Sequence, residues 1–496
     1  MPAQAIVPSA RGGPLDEILD RALNAAQLAG ASYADVRIVE SRTQFLEVKN
    51  RQISALQESG TMGLGVRVLV DGAWGFAASA DSSTAEAERC AALATRIARA
   101  SAKFRIVPIA LSPLAPVIAR WETPIETDPF QVPLADKIAL LVEATGTMQR
   151  EAQIKVAQGN MQFWEDKKRF ASTEGARIEQ RIVNSGAGLS AFAVGEDDLQ
   201  TRSYPNSFGG QYESAGYELV RRLDLPGHAA ETASTAAALL SAPVCPAGVT
   251  TIILDGTQVS LQLHESCGHP TELDRVLGHE ANYAGTSFLT TDHLGKLRYG
   301  SDVVSIVTDA TTPRGLGTFG FDDEGVPAQR ADLVRKGRFS GYLTSRETAP
   351  LVGLASNGTM RAESWAHIPL VRMTNVNLEP GTWKLADLIA DTKDGIHMIT
   401  NRSWSIDDKR YNFQFGTEVG YEIKNGKRGR LLKNCTYTGI TPEFWNRCDA
   451  VCDASDWEIW GTPNCGKGQP SQTMRTAQGA SSARFRGVQV GVGARS

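Results

Sequence analysis

Two runs of alternating residues, GVRVLV and AWGFAAS, flank the dipeptide Asp71-Gly72, and this arrangement limits the fold of the 496-residue chain more tightly than any other. Asp-Gly suits the positive φ angles of a two-residue hairpin turn, so the runs pair as antiparallel strands. Alternation then commits one face of the pair to a core. Ahead of the hairpin, Leu15, Ile18, Leu19, Ala22, Leu23 and Ala26 recur at helical spacing, and residues 35–48 alternate at Val36, Ile38 and Phe45. Behind it, the Ala-rich stretch from Ser82 to Ser101 opens on a Ser-Ser-Thr cap and reads as a second helix, followed by a Pro-rich connector over 107–128.

The pattern then repeats. Residues 133–150 form an amphipathic helix, 153–218 hold alternating strand runs broken by Gly-bearing turns, and a helix at 229–241 leads into Ala-Pro-Val-Cys-Pro-Ala-Gly, the expected domain boundary. The division is 1–244 and 245–496, with a sub-boundary near 107–130. Beyond it, 249–255 reads as a buried strand and Thr257 to Cys267 as a helix ending near Gly268. Strand-like runs follow at 302–308, 338–343, 367–377, 411–423, 430–438 and 484–492, with a helix near 383–391 and a hairpin candidate at Asn425-Gly426. The fold class is α+β: an antiparallel sheet with helices in front, and a β-rich, barrel-like domain behind.

Charge narrows the function. With 51 basic against 55 acidic side chains the net charge is −4, which supplies no electrostatic case for binding nucleic acid or an anionic membrane. No run approaches the roughly 18 apolar residues of a membrane span, and the start, MPAQAIVPSARGG, lacks the apolar core of a signal peptide, so a soluble cytoplasmic protein is expected. Seven scattered cysteines suit metal ligation or packing better than a disulfide framework.

The chemistry concentrates in His264-Glu265-Ser266-Cys267-Gly268-His269-Pro270-Thr271-Glu272. Zinc proteases commonly space two histidines four apart on a helix, with a Glu between them as general base. Here the spacing is five, which on a regular helix turns the second imidazole about 140° away. A break is expected to resolve this, with Gly268 left-handed at a helix end and Pro270 biasing His269 toward an extended conformation. A catalytic metal needs a third ligand, and His279, His293, His367, His397, Cys267, Glu272 and the late cysteines are all candidates. Among these, Cys465 lies in the Gly-rich Pro463-Asn464-Cys465-Gly466-Lys467-Gly468-Gln469, where an adjacent cation favours a thiolate; Cys448 and Cys452 could instead join a structural zinc site with Cys435 or Cys465.

His-Glu-Ser-Cys-Gly-His together with Asn464-Cys465-Gly466-Lys467-Gly468-Gln469 resembles the TldD/PmbA family of metalloproteases, and within it the TldD branch. Asp323-Glu324-Gly325, Gly337 to Tyr342, Arg372-Met373-Thr374-Asn375, Pro380-Gly381 and Glu422 to Lys427 are similar to that family as well, as is GVRVLVDGAWGFAAS, so the resemblance spans essentially the whole chain. It implies one Zn2+ held by His264, His269 and Cys465, with Glu265 as general base. It further implies a supporting role for Glu272, and contacts of Arg372 and Asn375 with a peptide backbone or oxyanion unless both are structural. Lys467, the cation of the cysteine loop, joins these as a supporting or substrate-binding candidate. Cys267 departs from the small or aliphatic residue usual at its place and leaves the ligand set open. The implied substrate is a small or unfolded peptide, and the implied assembly a homodimer or a heterodimer with a PmbA-type paralogue. Two other readings stand beside it: an inactive peptide-binding subunit, and a purely structural zinc.

Overall fold

Asp71 and Gly72 take φ values of 49° and 70°, the left-handed pair that a two-residue hairpin turn requires. The computed structural model describes residues 13–491; the chain start, read above for the absence of a signal peptide, and the last residue of the 484–492 run lie outside them. In front come α1 (Pro14–Leu28), β1 (Tyr33–Lys49), β2 (Gln52–Val70), β3 (Ala73–Ser79), α2 (Thr84–Ala102), β4 (Ile118–Glu122), α3 (Leu134–Met148), β5 (Ile154–Ser172), β6 (Arg177–Val194), β7 (Leu199–Tyr204), β8 (Gln211–Glu213), α4 (Glu218–Leu223) and α5 (Leu225–Ser241).

These strands form one sheet in the order β3-β2-β1-β5-β6-β4, with β7 and β8 also on β6. It is antiparallel except for β4, which runs parallel to β6 out of the stretch read as connector. Five residues, Ile-Ala-Arg-Trp-Glu, are too few to show a period among prolines. Helices α1 and α2 cover one half of the sheet, packing Ile18, Leu19, Leu23 and Ala91 on Val36, Val66 and Val68. The other half carries α3 and α5, through Leu141, Ala144, Leu225 and Ala233 on Met161, Phe163 and Leu189.

Behind come β9 (Gly248–Leu254), α6 (Gly256–Leu263), α7 (Leu273–Val276), α8 (Ala281–Ala284), β10 (Ile306–Asp309), β11 (Arg330–Arg335), β12 (Arg338–Phe339), β13 (Met360–Arg361), β14 (Leu370–Val371), β15 (Val376–Leu378), α9 (Leu385–Ala390), β16 (Asp394–Ile406), β17 (Asn412–Lys424), β18 (Lys427–Leu432), β19 (Cys435–Ile440), α10 (Thr441–Asn446), β20 (Cys448–Val451), β21 (Glu458–Lys467), β22 (Gln472–Ala480) and β23 (Ala483–Val490). Strand β17 pairs with both β19 and β16, so β9, β23, β19, β17 and β16 close into a barrel. Ile252, Leu254, Phe413, Phe415, Tyr437 and Phe485 belong to its core. Asn425 and Gly426, at φ 50° and 73°, form the two-residue turn between β17 and β18.

Buried charge joins the two regions. Arg67 of β2 donates to Asp35 on β1 and to Glu324 of the rear region, and Lys168 of β5 donates to Asp323. Opposite charges largely withdrawn from water, with Lys168 the most exposed of them, tie the two regions together, because each alone carries a desolvation cost.

Candidate metal centre

Helix α6 follows directly on barrel strand β9, and Asp255 caps it by accepting from the Gln258 N–H at 3.1 Å. No break follows between the two histidines. His264–Gly268 continue as a π-helical turn and His269–Thr271 as a 3-10 turn. The His269 N–H donates to the His264 carbonyl, an i to i+5 bond that lays the fifth residue over the first as the α-helical bond does the fourth. Widening the helix, rather than ending it, therefore brings the imidazoles together, with ring centroids 4.9 Å apart.

The expected left-handed Gly268 and extended His269 are both corrected: their φ values are −57° and −59°, in the right-handed helical region. Glycine is needed at 268 for space, since a Cβ there would lie 2.0 Å from Met373 Sδ. Pro270 has no N–H to return to the Ser266 carbonyl, which accepts instead from the Tyr299 hydroxyl at 2.8 Å. The Cys267 and Gly268 carbonyls accept from Thr271 Oγ1. We expect Gly268→Ala to destabilise the fold by roughly 1–3 kcal/mol through overpacking, and Met373→Ala in the same chain to restore part of the loss, as read from denaturant unfolding.

Cys465 also departs from expectation, lying on strand β21 rather than in a loop. The pairing of β21 with β22 shifts register between Thr462 and Cys465, a bulge that re-aims the side chain. Its Sγ sits 3.5 Å from His269 Nε2. The donor atoms of His264, His269 and Cys465 all lie within 4.8 Å of one another and are buried; among the described residues no other group of three such side chains could hold a metal.

The three side chains fit zinc. Ligands at bond lengths of about 2.05 and 2.3 Å in a tetrahedron stand roughly 3.6 Å apart, close to the observed sulfur to nitrogen distance. His264 Nδ1 is buried with no hydrogen-bond partner, the state of a nitrogen that lacks its natural acceptor or ion. His269 has its other nitrogen, Nδ1, 3.1 Å from Glu272 Oε2, which turns Nε2 toward the cluster. Burial pushes the Cys465 thiol up, but His269, His264 and Arg372 outweigh it and hold the thiol well below its ordinary value. For His269, burial lowers the imidazole while Cys465 and Glu272 raise it, and it rests at about 9.

A polar shell holds these three side chains. Glu272 is fully buried, and although burial opposes its charge, Lys467 and His269 keep its carboxyl far below the usual range. Lys467 Nζ donates to Asp274 Oδ1 and the Val371 carbonyl, both at 2.6 Å, and lies 3.4 Å from Glu272. Arg372 donates to the backbone carbonyls of Cys465 and Gln472. Asn375 lies apart, binding Asp309, Thr318 and Gly317 inside the domain. Burial raises Glu265, but Arg410 and the two histidines outweigh it and lower its carboxyl. Arg410 donates to Glu265 Oε2 and is the residue that sequence reasoning missed. It occupies the β16–β17 turn, and β16 itself went unread.

The remaining ligand candidates go elsewhere. Cys267 packs in the barrel core, where burial pushes its thiol up to about 12. Cys448 and Cys452 fall into two different apolar clusters. His397 accepts from Arg428 at 2.6 Å, while His293 and His367 contact Thr290 and Ser364.

With the site in view, comparison with known proteins is decisive. Three domain models match in order: PmbA/TldA metallopeptidase domain 1 over 34–98, the central domain over 127–240 and the C-terminal domain over 247–492. The chain belongs to the PmbA/TldD metallopeptidase family. A metalloprotease of Methanocaldococcus jannaschii is 30% identical over 88% of this chain and 92% of its own length. A metalloprotease TldD homolog of Haemophilus influenzae is 29% identical over 84% of each chain. The fold matches TldE from Thermococcus kodakarensis, with a TM-score of 0.73 at 15% identity over 96% of this chain and all of that one. It also matches a Thermotoga maritima structure titled as a modulator of a DNA gyrase, with a TM-score of 0.75 at 17% identity over the same shares. In this PmbA/TldD chain, the π-turn and the bulged strand are the local devices that gather the three donors.

Proposed function

We propose that this protein is a zinc-dependent peptidase that hydrolyses small or unfolded peptides. The observation that carries the reading is the convergence of His264, His269 and Cys465 beside Glu265, with no fourth protein ligand in the group. Zinc held by these three side chains supplies a water of lowered pKa and a Lewis acid for the scissile carbonyl. The remaining work belongs to the chain. Glu265 takes a proton from the water as its oxygen bonds to the carbonyl carbon, and returns that proton to the amide nitrogen as the carbon to nitrogen bond breaks. Glu272 holds His269, and Arg372 holds the backbone that carries Cys465. Strand β21 pairs with no strand but β22 among the described residues, and Gln211 of β8 already binds its backbone at Ile459 and Gly461, so an extended peptide added as a strand would lie along the end at residues 464–467.

The test joins metal analysis to hydrolysis. Purified protein is expected to carry one zinc per catalytic chain and to cleave unstructured peptides, with activity lost to a chelator and restored by zinc. Zinc-loaded protein that leaves a broad peptide mixture intact by mass spectrometry would refute the reading in favour of a structural ion. Glu272→Gln should weaken zinc binding by about 10- to 100-fold, the usual effect of losing such a partner, and competition with a chromophoric chelator measures it. A dimer of identical chains, or one with a PmbA-type paralogue, completes the proposal, and the mass of the intact complex distinguishes the two. No helix among the described residues is long and apolar enough to cross a membrane.

A further inference from the structure

Arg410 reaches the reaction centre from the tip of the β16–β17 hairpin. Its Nη1 donates to Glu265 Oε2, and the two side chains are only 16% and 8% exposed. Its Nε is buried with no partner, so the guanidinium arrives with donors to spare.

The turn that delivers it is fixed on every side. Arg410 N donates to the Asp407 carbonyl at 2.9 Å, and Thr441 Oγ1 donates to the Arg410 carbonyl at 2.9 Å. The neighbouring Asp408 carbonyl accepts from Arg275 Nη2 at 2.6 Å, and the Lys409 carbonyl from the Phe288 N–H at 3.0 Å. Gly285 packs so closely under the turn that a Cβ there would lie 2.4 Å from Asp408 Cβ. Arg410 itself has φ 62°, a conformation costly for any residue but glycine. Arg51 and Arg314 share this left-handed backbone, so the φ angle alone does not mark a role; what sets Arg410 apart is where its side chain ends, on Glu265.

We propose that Arg410 is a catalytic residue, orienting Glu265 through Oε2 and directing its remaining N–H groups to the scissile carbonyl oxygen as negative charge builds there. The proposal rests on the peptidase reading. Preorganised donors at such an oxygen favour the transition state over the bound substrate, so their loss falls on kcat more than on KM.

The left-handed backbone gives a clean test, because Arg410→Gly removes the guanidinium and relieves the strain. The zinc-loaded variant should keep its metal and its fold, the strain relieved at position 410 being set against the cost of leaving Glu265 without its ion-pair partner. Its kcat should fall about 100- to 1000-fold with KM changed by less than about threefold, and guanidinium ion in the buffer should restore part of the rate. Calorimetry gives a readout independent of turnover. Affinity for a phosphinic peptide, which presents a tetrahedral anion, should drop by about 100-fold, while a reduced-amide peptide of the same sequence, lacking the oxygen, should bind both proteins alike. Arg410→Lys should lie between the two. Equal phosphinic-peptide affinity in wild type and Arg410→Gly would overturn the proposal and leave the peptidase reading standing. So would loss of zinc or of the fold in the glycine variant, since Arg410 would then be structural. A wild type that neither cleaves peptides nor binds the phosphinic peptide removes the peptidase reading, and this proposal with it.

Discussion

Glu265→Gln is expected to keep its zinc and its fold while losing hydrolysis by about three orders of magnitude, within the range that general acid–base groups contribute. The substitution preserves shape. The amide oxygen can still accept from Arg410, as Glu265 Oε2 does now, so the hairpin stays docked. What disappears is the ability to take a proton from water and hand it to the leaving nitrogen. The comparison separates three readings. A peptidase loses turnover with metal unchanged. A structural ion gives full zinc in both proteins and turnover in neither. A metal-free peptide-binding subunit carries no zinc even as wild type. Metal content by mass spectrometry and single-turnover cleavage of a fluorogenic peptide decide among them. Retention of more than about a tenth of the wild-type rate would remove Glu265 from the proton path.

How much of this was legible depends on whether the signal was local. Asp71-Gly72 and Asn425-Gly426 each force a turn by their own conformational preferences, and both turns form as read. Helices α1, α2 and α3 show apolar stripes within their own sequences and fall within a few residues of expectation. Strand β16 was invisible because its second half, Arg402 to Ser405, is exposed and polar or aromatic without alternation; barrel closure, not local pattern, makes it a strand. The same blindness hid Arg410, which lies in the turn that follows. Around the site, the motif gave His264 and His269 but misjudged how a spacing of five is accommodated. A Gly-His-Pro string signals a helix end by propensity, yet Tyr299, Thr271 and Met373, from this turn and two distant segments, make a wider helix the better satisfied state. Cys465 could be chosen as the partner only through the family resemblance. It meets His269 across 196 residues, through a strand bulge whose register depends on β22.

Removing that sulfur should have the other large effect. Structural zinc sites of four ligands bind with roughly 10–16 kcal/mol, about 3 kcal/mol per ligand, so Cys465→Ala is expected to lose two to three orders of magnitude in zinc affinity and hydrolysis at ambient zinc. A proton count provides a second, independent signature. In the metal-free wild type His269 rests at about 9, raised by Cys465 and Glu272 against burial, so near pH 7.5 it carries a proton that zinc must displace; Cys465, held low, is already ionised. Calorimetry in buffers of different ionisation enthalpy should therefore show about one proton released per zinc bound. Without the sulfur, the larger of the two forces raising His269 is gone, and the release should fall well below one. Stability follows with a definite sign. An imidazole raised in the folded state adds stability that is full below its unfolded value near 6.5 and fades as pH rises through about 9; a lowered thiol adds stability that is full above about 9 and fades as pH falls through its folded value. Both groups are charged near neutrality, so the metal-free wild type should unfold at a higher midpoint than Cys465→Ala there, with the gap narrowing as pH climbs past 9. A gap that widens with alkalinity would mean that the sulfur is not paired with His269. Zinc affinity undiminished in the variant would mean that it is not a ligand.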